Sequence, residues 1–272
     1  MIEWDGPARQ ACPDCGRNPK DRTCGVTVEP DGRGVAHCFR CGYIETCRGS
    51  EVQRRPGLYP VRQATTTKHE VLSDYGRALW SECVGLAGTT GAAYLRARSC
   101  VVPPADGHLR YHPALKHPPS GIAGPALVAL VTDAASGQPL TLHRTWILAS
   151  GEKAPVDPPR MLLGGHRKAG GVVRLWPDEA VTMGLGLAEG IETALSLAHA
   201  YTPVWACVDA GNLAAMPVLA GIESLMIAAD HDEAGVSASE ACAGRWADAG
   251  REAFIVTPPV QKMDLNDMAR SA

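Results

Sequence analysis

From Leu185 to the C-terminus, short apolar runs alternate with stretches of helical composition. Leu185-Gly-Leu-Ala188, Pro203-Val-Trp-Ala-Cys-Val208, Ile222 to Ala229 and Ala253-Phe-Ile-Val256 read as strands buried in a core, the last closed by Pro258 and Pro259. Ala194 to Ala200 and Ala234 to Ala249 read as helices, the second closed by Gly250; Asp209 to Asn212 reads as a turn and Leu213 to Met216 as the start of another helix. Strand and helix in repetition predict a parallel α/β sheet, whose ligands gather at the carboxyl ends of strands where the chain order reverses. Upstream, Leu127 to Val131 and Leu140 to Trp146, joined by a turn at Asp133 to Gln138, predict a β-meander, preceded by helices over Glu70 to Cys83 and Gly91 to Arg98. The Pro- and His-rich Pro103 to Pro119 reads as a loop, its His108, His112 and His117 as surface side chains. Near the N-terminus, Cys24 to Val28 and Val35 to Phe39 flank a Pro-Asp-Gly-Arg-Gly turn and predict a hairpin. Arg48 to His69 reads as a flexible linker. The expected organisation is 1–47, linker 48–69, a mixed α/β subdomain over 70–180 and a parallel-sheet domain over 181–272, with no internal repeat.

Candidate chemistry sits at the strand ends. Asp230 and Asp232 follow the third apolar run, and Glu189-Gly190 follows the first. Side chains at i and i+2 leave a strand on the same side, so the two aspartates are expected to converge on one point, a geometry suited to a hard divalent cation that enters with a substrate phosphate. At the other end, Cys12-Pro-Asp-Cys15 and Cys38-Phe-Arg-Cys41 are paired C-x-x-C knuckles 22 residues apart. Each knuckle offers two thiolates from one tight turn, eased by Gly16 and Gly42, as a tetrahedral Zn²⁺ site requires. Cys24 and Cys47 are left as packing or free thiols. The scattered Cys83, Cys100, Cys207 and Cys242, with no signal peptide in view, point to a reducing cytoplasm rather than to disulfides.

Glu189-Gly190, Asp230-x-Asp232 with Gly235, and Lys262-Met-Asp264-Leu-Asn266-Asp267 resemble the motifs of a Toprim domain, a Rossmann-like fold shared by bacterial-type primases, topoisomerases, some nucleases and recombination mediators. The resemblance covers roughly residues 183 to 272. It implies that Glu189 serves as general base or acid and that Glu189, Asp230 and Asp232 hold Mg²⁺ or Mn²⁺, with Gly190 beside the bound group. Met263 is one residue more than the usual last motif, leaving Asp264 and Asp267 both open as metal-facing; Asp264 is favoured, the alternative being that it caps the final helix while Asp267 stabilises that helix's start. Val35-Ala-His-Cys-Phe-Arg-Cys-Gly42 is similar to the zinc ribbon that opens bacterial, phage and plasmid primases, where it contacts single-stranded template. By the same resemblance Arg144 and Lys153 match a basic pair facing template and nucleotide, with Arg160 a third; His143 reads as an ordinary strand residue and Trp146 as core.

Charge fits that expectation. The net charge is -3, but eleven basic residues face eight acidic ones over 1–68 and again over 69–178, against four and thirteen over 179–272. Acidity collects where metal is expected, positive charge where a template would run. No apolar run is long enough for a membrane span. Without a Walker A motif the sequence offers no fused helicase motor. The expectation is a stand-alone DNA primase of phage or mobile-element type that makes short RNA primers on single-stranded DNA from ribonucleoside triphosphates during DNA replication, beside a separate helicase or polymerase. The alternatives are a Toprim nuclease or a non-catalytic DNA-binding recombination mediator.

Overall fold

A computed structural model describes residues 2–16, 21–29, 32–38, 40–47 and 69–271. The expected linker, apart from His69, lies outside the described residues. The chain divides into two compact units, residues 1–64 and 65–272.

The first unit is a four-stranded antiparallel sheet in chain order: β1 (Arg9–Gln10), β2 (Cys24–Val28), β3 (Gly34–Cys38) and β4 (Ile44–Cys47). The β2–β3 hairpin is in the register the sequence suggests, Val26 opposite Ala36. Its small core joins Ile2, Val26 and Ala36 to Cys12, Cys24 and Cys38.

The second unit opens with α1 (Asp74–Glu82) and α2 (Thr90–Ala97), both started by side-chain caps from Ser73 and Thr89. Then come β5 (Leu109–Lys116), β6 (Ala123–Asp133), β7 (Pro139–Trp146), β8 (Arg160–Leu162) and β9 (Gly171–Arg174). Strand and helix alternate afterwards: β10 (Gly184–Ala188), α3 (Ile191–Leu197), β11 (Val204–Ala206), α4 (Ala210–Ala214), β12 (Ser224–Ala228), α5 (Glu233–Asp248), β13 (Glu252–Val256) and α6 (Leu265–Ser271). All nine strands form one sheet, in the order β13-β12-β10-β11-β9-β6-β7-β8, with β5 also on β6. The first four of that order are parallel, as the apolar runs predict; β9 joins them antiparallel to β11 and carries the sheet into the meander. The eleven residues of β6 give one edge to two neighbours, β5 along Ala123 to Ala129 and β9 along Val131 to Asp133.

Buried apolar side chains cover both faces. Leu185, Leu187, Trp205, Ile227 and Trp246 fill one side of the parallel strands; Ala188, Leu195, Val204, Tyr94 and Leu95 fill the other. Leu142, Trp146, Leu72 and Leu79 fill a third cluster beneath the meander. Trp146 and Trp246 are fully buried, and truncating either to Ala would cost about 3–5 kcal/mol. Gly186 in mid-strand permits this packing, since a Cβ there would lie 2.6 Å from Val204 Cγ1.

Two expectations change. Part of the expected Pro103–Pro119 loop is strand β5, with a bulge between His112 and Leu115 that absorbs Pro113. One of its histidines is no surface group: His117 is wholly buried, held by Ser120 Oγ (2.8 Å) and the Pro158 carbonyl (2.9 Å) and set edge-on to Trp146, while His108 and His112 stay half-buried. The expected Asp209–Asn212 turn is the start of α4, because Asp209 Oδ1 accepts the Asn212 N–H at 2.9 Å.

Candidate metal centres and nucleotide pocket

In the first unit the four cysteines converge. Their sulfurs all lie within 4.8 Å of one another, with Cys12–Cys41 at 3.7 Å and Cys15–Cys38 at 3.5 Å. Four bonds of about 2.3 Å to a tetrahedral zinc would put sulfurs about 3.8 Å apart, so the donor set fits that ion. Each knuckle is a tight turn: Gly16 N–H donates to the Cys12 carbonyl and Gly42 N–H to that of Cys38, while the Asp14 and Arg40 N–H groups point at Cys12 and Cys38 sulfur. A Cβ at position 16 would lie 2.4 Å from the Cys12 carbonyl oxygen, and Gly42 has φ +76°. Cys24 and Cys47 stay outside this cluster, buried.

In the second unit a cavity of about 390 Å³ opens at the carboxyl ends of the parallel strands. The chain leaves β10 for β11 on one side and β12 on the other, so Glu189 and Asp230 emerge at the switch point of the sheet. Both line the cavity, with Asp264 and Gly190. Gly190 caps α3 with an extended backbone. Asp230 has an oxygen that is buried without a hydrogen-bond partner. Burial, then the neighbouring Asp264, Glu189 and Asp232 charges, push its carboxyl up to about 7. Burial and the charges of Asp209 and Asp232 also raise Glu189. An unpartnered oxygen among mutually repelling carboxylates suits a hard cation. Asp264 lines the cavity, and its Oδ1 accepts the Asp267 N–H at 2.7 Å at the start of α6. Asp267 lies outside the cavity lining and accepts the Asp264 N–H at 3.4 Å.

The same lining is also cationic. Lys153, Arg160, Arg98 and Lys168 belong to it. Arg98 is aimed by Asn266 Oδ1 (3.0 Å) and the Gly151 carbonyl (3.3 Å), and Lys168 reaches Asp209 at 2.8 Å. Asn266 is itself fully buried, its amide N–H₂ shared among the Arg98 carbonyl, Cys100 Sγ and Ser196 Oγ. Val208, also in the lining, holds φ 72°, where a β-branched residue is strained.

Two expected site residues stand elsewhere. Asp232 is exposed and caps α5, its Oδ1 accepting the Gly235 N–H at 2.8 Å. The strand ends at Ala228, so the i, i+2 convergence of Asp230 and Asp232 is lost; Asp232 acts on the cavity only through its charge. Gly235 is required because a Cβ would lie 2.5 Å from the Asp230 carbonyl oxygen. Arg144 is 4% exposed on the far face of β7, where it donates to the Leu162 carbonyl at 3.0 Å and lies 5.6 Å from the Trp146 ring. Strand alternation turns its neighbour His143 into the cavity instead. Burial holds that imidazole near 4, and its Nδ1 has no hydrogen-bond partner. Arg98, Lys168, Glu192, Thr193 and Asp209 were not anticipated; Glu192 and Thr193 had a signal in their place on the first turn after Glu189-Gly190, while Arg98 and Lys168 had none.

Family models match two stretches. Residues 71–175 match a domain of unknown function (DUF7146), and residues 184–272 match the Toprim domain. The C-terminal part of this chain is a Toprim domain. Glu189, Asp230 and Asp264 belong to the Toprim domain, whereas Arg98, His143, Lys153, Arg160 and Lys168 belong to the preceding match. No curated protein matches the chain. Among solved structures, the primase fragment of the bacteriophage T7 primase-helicase protein is similar over 95% of this chain and 92% of its own, at 18% identity and TM-score 0.43. A DNA primase domain from Pseudomonas aeruginosa is similar over 74% of each chain, at 12% identity and TM-score 0.47. The zinc-binding and RNA polymerase domains of the Aquifex aeolicus primase are similar over 97% of this chain and 75% of theirs, at 17% identity and TM-score 0.46. No helix among the described residues is long and apolar enough to cross a membrane.

Proposed function

We propose that this chain is a DNA primase, joining ribonucleotides de novo on single-stranded DNA by metal-dependent nucleotidyl transfer. The observation that carries the reading is the make-up of one cavity lining, Toprim carboxylates together with lysines and arginines, a combination suited to a triphosphate that arrives with divalent cations. The four-cysteine unit supports it, because its sequence resembles the ribbon through which primases contact template.

Glu189, Asp230 and Asp264 would hold Mg²⁺ or Mn²⁺. Such ions, when bound, acidify the attacking hydroxyl and neutralise charge on the triphosphate. Lys153 and Arg160 bind the phosphates, the guanidinium in a bidentate fork and the ammonium as a point charge. Arg98, fixed by Asn266, orients the same group. The 3′-hydroxyl of one nucleotide attacks the α-phosphorus of the next, its bond to pyrophosphate breaks, and the cationic side chains retain the leaving group. Glu189, which lines the cavity at the end of β10, accepts the hydroxyl proton. Cys12, Cys15, Cys38 and Cys41 would hold Zn²⁺ to keep the ribbon folded.

The test is incorporation of labelled ribonucleotides on unprimed, mixed-sequence single-stranded DNA with Mg²⁺ or Mn²⁺, comparing wild type with Asp230→Ala. Short products from wild type alone are expected. Template degradation without products would replace this reading with a nuclease.

A further inference from the structure

A buried carboxylate stands among the cations of the lining. Glu192, in the first turn of α3, is 8% exposed. Its Oε1 accepts the Tyr94 hydroxyl at 2.9 Å and lies 3.9 Å from Lys153 Nζ. Burial by itself would raise this carboxyl, but Lys153, the Tyr94 hydroxyl and Arg160 more than offset it and hold it below the ordinary glutamate range. His143 faces the same carboxylate from β7, and the Cys100 thiol donates to the Glu192 carbonyl at 3.6 Å. Burial lowers the pKa of Lys153, the charges of Arg160 and Arg98 act the same way, and those of Glu192 and Asp264 oppose them.

A negative charge beside a triphosphate-binding site opposes binding unless it serves the cations around it. We propose that Glu192 is a positioning residue: gripped from the other side by Tyr94, it fixes the Lys153 ammonium in the cavity, so that lysine and not carboxylate meets the nucleotide phosphates. The nucleotide as ligand rests on the primase reading; the coupling of Glu192 to Lys153 does not. Tyr94 and Lys153 lie in the 71–175 match and Glu192 in the Toprim domain, so the device joins the two segments at the site.

The test reads the lysine directly. Reductive methylation of the full chain across a range of pH, followed at the Lys153 peptide by mass spectrometry, gives the midpoint of its amine reactivity. Circular dichroism checks folding. Glu192→Gln removes the charge at constant size and should lower that midpoint by about one pH unit or more, a tenfold or greater rise in reactivity below it. The KM for ATP should rise about tenfold with a smaller change in kcat, its alkaline limb moving to lower pH. Tyr94→Phe should move the midpoint the same way by less. A folded Glu192→Gln protein with the wild-type midpoint overturns the proposal whether or not the chain makes primers. A shifted midpoint with unchanged KM overturns the nucleotide-facing role. Shifted reactivity in a chain that never primes leaves the coupling standing and overturns the primase reading instead. Should Glu192→Gln fail to fold, an unchanged midpoint in Tyr94→Phe overturns the proposal.

Discussion

The four cysteines and the Toprim carboxylates are both suited to metal, and they are built differently. The cysteine sulfurs already lie within 4.8 Å of one another, on turns whose backbone N–H groups point at sulfur. Among the described residues the carboxylates form no such convergent group; Glu189, Asp230 and Asp264 line a cavity that they share with lysines and arginines. A closed thiolate set leaves no coordination position for a substrate, whereas carboxylates spread around a cavity share their cations with one. The first arrangement holds a fold together; the second leaves room for chemistry.

Removing one donor from each site tests that contrast most severely. Asp230→Asn should reduce primer synthesis on the order of 10³-fold, the scale for removing a group that acts on developing charge, while tightly bound zinc by atomic emission stays at wild-type stoichiometry. Cys38→Ser should do the reverse to the metal. Bound zinc should fall to none and the segment 1–64 should become protease-sensitive, while the second unit keeps its melting transition. If Cys38→Ser retains both zinc and protection, the cysteines are not the closed site described above. The cavity's cations should answer more mildly: Lys153→Met should raise the nucleotide KM by about 10–100-fold, the worth of one charge-assisted hydrogen bond, read from steady-state kinetics.

A pH series sharpens the point further. The Asp230 carboxyl sits near 7 in the fold, above its value of about 3.9 in the unfolded chain. The native state therefore binds the extra proton between those two values, and stability falls as pH rises through that window. In buffer free of divalent metal, Asp230→Asn should show no gain in melting temperature at pH 4 and a gain of about 2–4 °C at pH 8, the shift about 1 kcal/mol produces in a unit of this size. An equal gain at both pH values would mean that Asp230 is not strained by its neighbours. The smallest functional effect belongs to Arg144→Met, which should lower the melting temperature yet leave nucleotide KM within about twofold, since Arg144 faces Leu162 and Trp146.

The carboxylates of the cavity were legible because strand ends were. Continuous apolar runs mark parallel strands covered on both faces, and a carboxylate just past such a run has few other places to go. The cavity's cations were not legible in the same way. His143 and Arg144 are adjacent, and period-2 alternation says only that they part, not which one faces the cavity. Asp232 was misplaced because the i, i+2 rule assumes strand geometry, whereas the chain has already left β12 and needs a cap for α5. Strand β5 was hidden by Pro113 and three histidines, residues whose composition suggests a loop until His117 is seen to fill a hole beside Trp146. Arg98 is aimed by Asn266 from 168 residues away, a contact that no local pattern carries.

The joint between β9 and β11 has a practical consequence. Arg174 pairs with Trp205 and Val173 with Ala206, so the segments matched over 71–175 and 184–272 meet through a shared ladder of backbone hydrogen bonds and not through a tether. A fragment cut at residue 184 would carry β11 with one side bare, and such an edge recruits the nearest strand on offer, including that of another molecule. Expressed alone, the Toprim domain should therefore clump or precipitate where the 65–272 unit stays monodisperse, and the two segments can be exchanged between relatives only as a matched pair.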